Sequence, residues 1–206
     1  MSSVTITSAE FRNFKALGHY SVRFQHLSIL VGPNNSGKST VLSALRVLAA
    51  GLKRARSKTP EYVQGPKGYC FGYSLSGEAL PISVENVHTD LTDTDTHVLF
   101  RLSNGNSLRL FFPLAGGVLL IPETTGKSVK TTASFKHEYP ISIGIVPILG
   151  PVEHNEEPVQ DETVRRGLAT HRASRHFRNY WLMYPDDLPE FADVLQRPKP
   201  VMEIER

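Results

Sequence analysis

The chain has one cysteine in 206 residues, Cys70, so it cannot close an internal disulfide, and this fits a reducing cytoplasm. It also lacks a long hydrophobic run. The longest apolar stretches, around residues 114–122 and 141–149, are too short and too broken by Gly and Pro to span a bilayer as a helix. The N-terminus, MSSVTITSAEFRNF, lacks the basic-then-apolar order of a secretory signal. There is no Cys/His grouping with zinc spacing, no G-x-S-x-G elbow, no internal repeat and no low-complexity tract. These absences exclude a disulfide scaffold and a helical membrane protein. They leave a cytoplasmic chain, 40% hydrophobic, that can bury one good core and a small satellite.

What is present centres on residues 32–40, GPNNSGKST, a complete G-x-x-x-x-G-K-[ST] phosphate-binding loop. Leu27-Ser28-Ile29-Leu30-Val31 before it reads as a short buried strand. Val41, Leu42, Ala44, Leu45, Val47, Leu48 and Ala49 after it recur at helical spacing as far as Gly51. Gly32 and Gly37 let the backbone curl around Pro33, Asn34, Asn35 and Ser36 so that N–H groups face a phosphate. A helix starting near Lys38 aims the positive end of its dipole at the same anion. Lys38 is placed to bridge the β- and γ-phosphates, the Ser39 hydroxyl to bind Mg²⁺, and Thr40 to donate to the α-phosphate. The expected ligands are ATP and Mg²⁺.

The net charge of +3 hides an asymmetry: residues 1–60 hold nine Lys/Arg against the single acid Glu10, and the remainder holds fourteen against nineteen. A basic N-terminal third suits phosphates, of nucleotide or nucleic acid, or is simply a solvated face. Residues 4–11 and 20–24 alternate as strands, and a helix spans about 38–55. Residues 57–68 read as a loop from their Pro, Gly and Ser content. Strands follow at 69–75, 82–88, 98–102, 107–112 and 118–121, with a hairpin signal at Asn104-Gly105. A last apolar strand covers 141–149, then helices cover about 159–169, 172–184 and 187–196, with Pro185 as a stop.

In the second helix Phe177, Trp181 and Tyr184 share an apolar face, and Arg172, Arg175 and Arg178 form a basic stripe beside it. The stripe suits a nucleic-acid contact, or acids of a partner chain, with the solvated face as the bland reading. Asp90, Asp93 and Asp95 lie between two strands without the glycine and distal Glu of a calcium loop, which makes them a polar turn. Glu153, Glu156 and Glu157 follow a strand directly, a place where open α/β sheets bind ligands, and are a site candidate. Cys70, among Tyr69, Phe71 and Tyr73, reads as a small buried hydrophobe.

The first 50 residues, with Phe11-Arg12-Asn13-Phe14-Lys15 between two strands and then Gly32 to Thr40, resemble the opening of ABC-type ATPase heads of the SMC, RecF and OLD families. The resemblance implies an α/β P-loop NTPase with an inserted antiparallel β subdomain and a helical C-terminal part. The division expected is a strand, P-loop and helix core at 1–56, the β insertion at 57–140, and a strand followed by helices at 141–206. It also implies that a basic residue of the turn, Lys15 first and Arg12 second, reaches the nucleotide. GPVEHNEE at 150–157 and HRASRHFRN at 171–179 look like ATPases of this group, several of which serve phage defence.

Such heads hydrolyse ATP as dimers, and here three of their parts are missing. No signature motif is present, since Ser74-Leu75-Ser76-Gly77-Glu78 lies in a strand-rich segment with no helix after it. No run of four apolar residues ends in Asp-Glu, and there is no switch His. The chain therefore resembles the first half of a head, whose hydrolysis needs a missing C-terminal half or a partner, as homo-dimer or hetero-assembly. The rivals are a non-catalytic nucleotide-binding module of a defence complex and a self-contained P-loop kinase or GTPase. The latter has neither a catalytic Asp nor an N-K-x-D motif to support it.

Overall fold

The computed structural model describes residues 4–75, 87, 96–145, 156–168, 173–187 and 189. The chain divides into two compact units, residues 1–144 and 145–206. In the first unit, seven strands among the described residues form one antiparallel sheet in the order β2-β1-β5-β6-β7-β4-β3. They are β1 (Ile6–Phe14), β2 (Leu17–Arg23), β3 (Glu61–Gly65), β4 (Gly68–Leu75), β5 (Thr96–Leu102), β6 (Ser107–Phe112) and β7 (Val118–Glu123). The strands expected as a separate insertion join the N-terminal hairpin directly, through the ladder that sets Phe11 opposite Val98 and Ala9 opposite Phe100.

One helix, α1 (Lys38–Ser57), covers the sheet. Thr40, Val41, Ala44, Val47, Leu48, Gly51, Leu52 and Ala55 form its buried face, the i, i+3, i+4, i+7 pattern of a helix half in the core. Opposite lie Ala9, Phe11, Phe14, Val98, Phe100, Leu108, Leu110, Phe112 and Leu120, all fully buried. Each such Leu or Phe contributes about 1.5–3 kcal/mol by leaving water. A shorter helix, α2 (Thr132–Glu138), opens on a capping box in which Thr131 and Ser134 satisfy each other's backbone N–H. It buries Phe135 edge-on against Tyr73 and stacked on Tyr139.

Two local expectations are corrected. Residues 57–68 are not all loop, because β3 pairs with β4 with Tyr62 opposite Phe71 and Val63 opposite Cys70. Pro60 and Pro66 bracket the strand without entering it, so the breakers mark its ends. Residues 27–31 are not a buried strand. They carry no ladder, and Leu27, Ile29 and Val31 are 71%, 70% and 83% exposed while Leu30 leans on the core. A β-branched run becomes a strand only beside another strand, and no described residue takes that place. Residues 141–145 are likewise not in a strand. The expected strand at 82–88, apart from Val87, and the acidic turn lie outside the described residues, as do 146–149 and most of 187–196.

In the second unit, α3 (Asp161–Leu168) and α4 (Phe177–Met183) are joined by a 3-10 turn, Ala173–His176. The helix expected over 172–184 is thus divided. The cause is Glu156, whose carboxylate accepts the backbone N–H groups of Arg178 and Asn179 at 2.8 and 2.9 Å and starts a new helix at Phe177. Asn179, 3% exposed, donates its side-chain amide to Glu156 and to the Glu157 carbonyl, and accepts from the Val159 N–H. Helix α4 ends before Pro185, as expected. Among the described residues no helix is long and apolar enough to cross a membrane.

Candidate nucleotide-binding site

Residues 32–40 form a loop that turns straight into α1. Three of them have positive φ: Gly32 at 151°, Asn35 at 65° and Gly37 at 85°. Gly37 is the residue before the helix, and its carbonyl accepts the N–H of Val41 at 3.0 Å. No acidic residue occupies the first turn, so the dipole's positive end is not neutralised from within the helix. The Lys38 ammonium donates to the carbonyls of Gly32 and Pro33 at 2.8 and 2.6 Å and to Ser36 Oγ at 3.3 Å, so the loop holds its own cation over its mouth. Ser39 is exposed in the first turn of α1, and Thr40 is buried at 8% exposure.

The positive φ of the loop's two glycines disfavours any side chain there, and a side chain would also press on its neighbours. A Cβ at Gly32 would come within 2.8 Å of Ser36 Oγ, and one at Gly37 within 2.8 Å of Leu17 Cδ2. The second approach is not legible in sequence, and it brings the β1–β2 turn against the phosphate loop. That turn is itself constrained. Asn13 and Lys15 both have φ of 52°, the Lys15 N–H donates to the Val87 carbonyl at 2.6 Å, and Thr96 Oγ1 donates to the Asn13 carbonyl at 2.9 Å. Asn13 and Lys15 are thus two non-glycine residues in the left-handed region, and Lys15 stands two positions before the Leu17 that packs on Gly37. Phe14, fully buried against Phe11 and Phe112, anchors the turn.

Arg12 is placed differently from Lys15. It alternates onto the β1 face away from the core and donates to Glu10 at 3.1 and 3.0 Å. Arg101 and His19 also lie near Glu10. The Arg12 hydrogen bond holds the Glu10 carboxyl below its usual range against the opposing effect of burial.

The remaining candidates fall into place or outside the described residues. Arg172 is outside; Arg175 lies in the 3-10 turn and Arg178 in α4, both exposed, so the stripe does not run along one helix. Glu156 is a helix cap. Burial raises its pKa, but the hydrogen bonds from Asn179 and Arg178 outweigh burial and hold it low. Glu153 lies outside the described residues, within which no group of three or more His, Cys, Asp or Glu could hold a metal ion. Cys70 is half-buried, and burial followed by the nearby Glu123 pushes its thiol up, which suits a packing residue.

An α1 that begins at a Gly-Lys-Ser-Thr loop, with two glycines held at positive φ, suits a nucleotide's phosphates and defines a phosphate-binding-loop protein of mixed α/β class. The model of the family described as AAA ATPase domain matches residues 5–110, just over half the chain, and the chain belongs to that family. It is a P-loop AAA-type ATPase domain, which supports nucleotide binding. No curated protein matches it significantly.

Proposed function

We propose that the chain is the ATP-binding half of an ABC-type ATPase head of the SMC, RecF and OLD kind, acting in DNA repair or anti-phage defence, with hydrolysis dependent on a partner that supplies the other half. Gly32 to Thr40 hold the phosphates, with Lys38 as the cation, Ser39 as the Mg²⁺ ligand and Lys15, or else Arg12, reaching the nucleotide. ATP brings the phosphoanhydride bond and Mg²⁺ neutralises its charge.

The observation that carries the partner requirement is the segment leading into the loop. Leu27, Ile29 and Val31 are exposed to water, and no backbone N–H of residues 29–31 bonds to another described residue. An exposed apolar segment with unpaired backbone is open to pairing with a further strand. The sequence also lacks an Asp-Glu pair after an apolar run, so it offers no water-activating carboxylate at the expected place. Arg175 and Arg178, with Arg172, meet acids of the partner or nucleic acid.

The test is steady-state hydrolysis by the purified chain. Binding of Mg-ATP with very slow turnover is expected. Turnover on the order of 1 s⁻¹ or more, abolished by Lys38→Ala, would show that the chain is complete in itself.

A further inference from the structure

The β3–β4 hairpin at one edge of the sheet carries aromatic side chains that the core does not use. Tyr62 and Tyr69 are 67% and 66% exposed, and their rings stack 5.5 Å apart at 14°. Phe71 meets Tyr62 edge-on at 5.6 Å, and Lys130 Nζ lies 5.7 Å from the centre of the Phe71 ring. Between this hairpin and residues 122–129 runs a groove of about 360 Å³, with Thr124 and Ser128 as polar lining opposite the tyrosines. By strand alternation, Tyr69 and Phe71 lie on the same side of β4 as Tyr73, which is buried against Phe135. The row therefore runs from the core residue Tyr73 out to the exposed Tyr69.

The chemistry around the row selects its partner. The segments 58–71 and 124–130 that build the groove contain Lys58, Lys67, Lys127 and Lys130 against Glu61 alone. Glu123, which adjoins the second segment, is tied to Arg109 at 2.6 Å. Exposed planar rings among lysines match a ligand that is flat, aromatic and anionic. A base with its phosphate has this character. A duplex does not, because its base faces are already closed within the stack. We propose that the β3–β4 hairpin and the 124–130 loop form a platform for single-stranded nucleic acid, with Tyr62 and Tyr69 stacking on bases and Lys67, Lys127 and Lys130 meeting phosphates. This surface is separate from residues 32–40, so the proposal stands or falls independently of ATP binding.

The test uses the full chain and fluorescence anisotropy of a labelled oligothymidylate of about 16 nucleotides, the upper end of usual site sizes. Tyr62→Ala with Tyr69→Ala should weaken binding by about 5- to 150-fold for each base that loses its partner. Tyr62→Phe with Tyr69→Phe should retain parental affinity, because the ring faces remain. Replacing Lys67, Lys127 and Lys130 by Gln should flatten the salt dependence by about 0.7 in slope for each phosphate no longer neutralised. Equal oligonucleotide affinity in the alanine variant and the parent would overturn the proposal. So would equal binding of duplex and single strand, or a parent that binds no oligonucleotide but loses self-association or peptide binding in the alanine variant.

Discussion

Gly37→Ala offers a quantitative probe of the phosphate loop's construction. At φ of 85° the backbone is left-handed, which costs an L-residue about 1–2 kcal/mol. The new methyl would also come within 2.8 Å of Leu17 Cδ2, closer than carbon atoms approach. Leu17 is the flexible partner, so it shifts off its rotamer at about 0.5–1.5 kcal/mol. Together the substitution should destabilise the chain by about 1.5–3.5 kcal/mol. The two contributions separate in a double-mutant cycle. Leu17→Ala removes the clash but leaves the backbone strain, so the double variant should be more stable than the sum of the singles by about 0.5–1.5 kcal/mol. The assay is urea denaturation read by far-UV circular dichroism, since the only tryptophan, Trp181, lies in residues 145–206. A Gly37→Ala midpoint equal to the parent's would refute the backbone strain, and strict additivity would refute the packing of the turn against the loop.

Two further predictions concern caps. Glu156→Ala should destabilise α4 by about 1–2 kcal/mol at neutral pH, read by Trp181 fluorescence during denaturation. Because the folded pKa of Glu156 lies below the ordinary value of 4.5, its contribution is complete above that value and is lost as pH falls through the folded one. The Glu156→Gln variant should lack this part of the acid dependence, and an unchanged profile would contradict it. Thr131→Ala removes the side-chain half of the α2 capping box and should lower stability by about 1 kcal/mol in the same urea assay.

What can be read from sequence is what is encoded locally. The phosphate loop is legible because Gly32, Gly37 and Lys38 act within nine residues, and α1 because its apolar positions repeat at helical spacing. The Asn104-Gly105 hairpin is legible for the same reason, and Gly105 does adopt a φ of 84°. What is not legible depends on distant partners. Residues 27–31 have a strand's composition, but composition does not supply a neighbouring strand. Glu156 reads as a ligand candidate because its true role is set by Arg178 and Asn179, 22 and 23 residues away. Strand β3 is obscured because Pro and Gly read as breakers of the segment they bracket. Tyr62, Tyr69 and Phe71 are readable as aromatic positions, but only the register of β3 against β4 brings Tyr62 beside the other two.

The central claim is that Lys38 and its loop bind the phosphates of ATP. Isothermal titration of Mg-ATP into the parent and into Lys38→Ala tests it directly. Among the described residues the Lys38 ammonium bonds to loop acceptors at 2.6–3.3 Å, so its loss leaves the core intact and the circular dichroism unchanged. Binding in the parent that is abolished or severely weakened in a folded Lys38→Ala chain is the predicted result. Equal affinity in the two, or no binding by the parent, would contradict it.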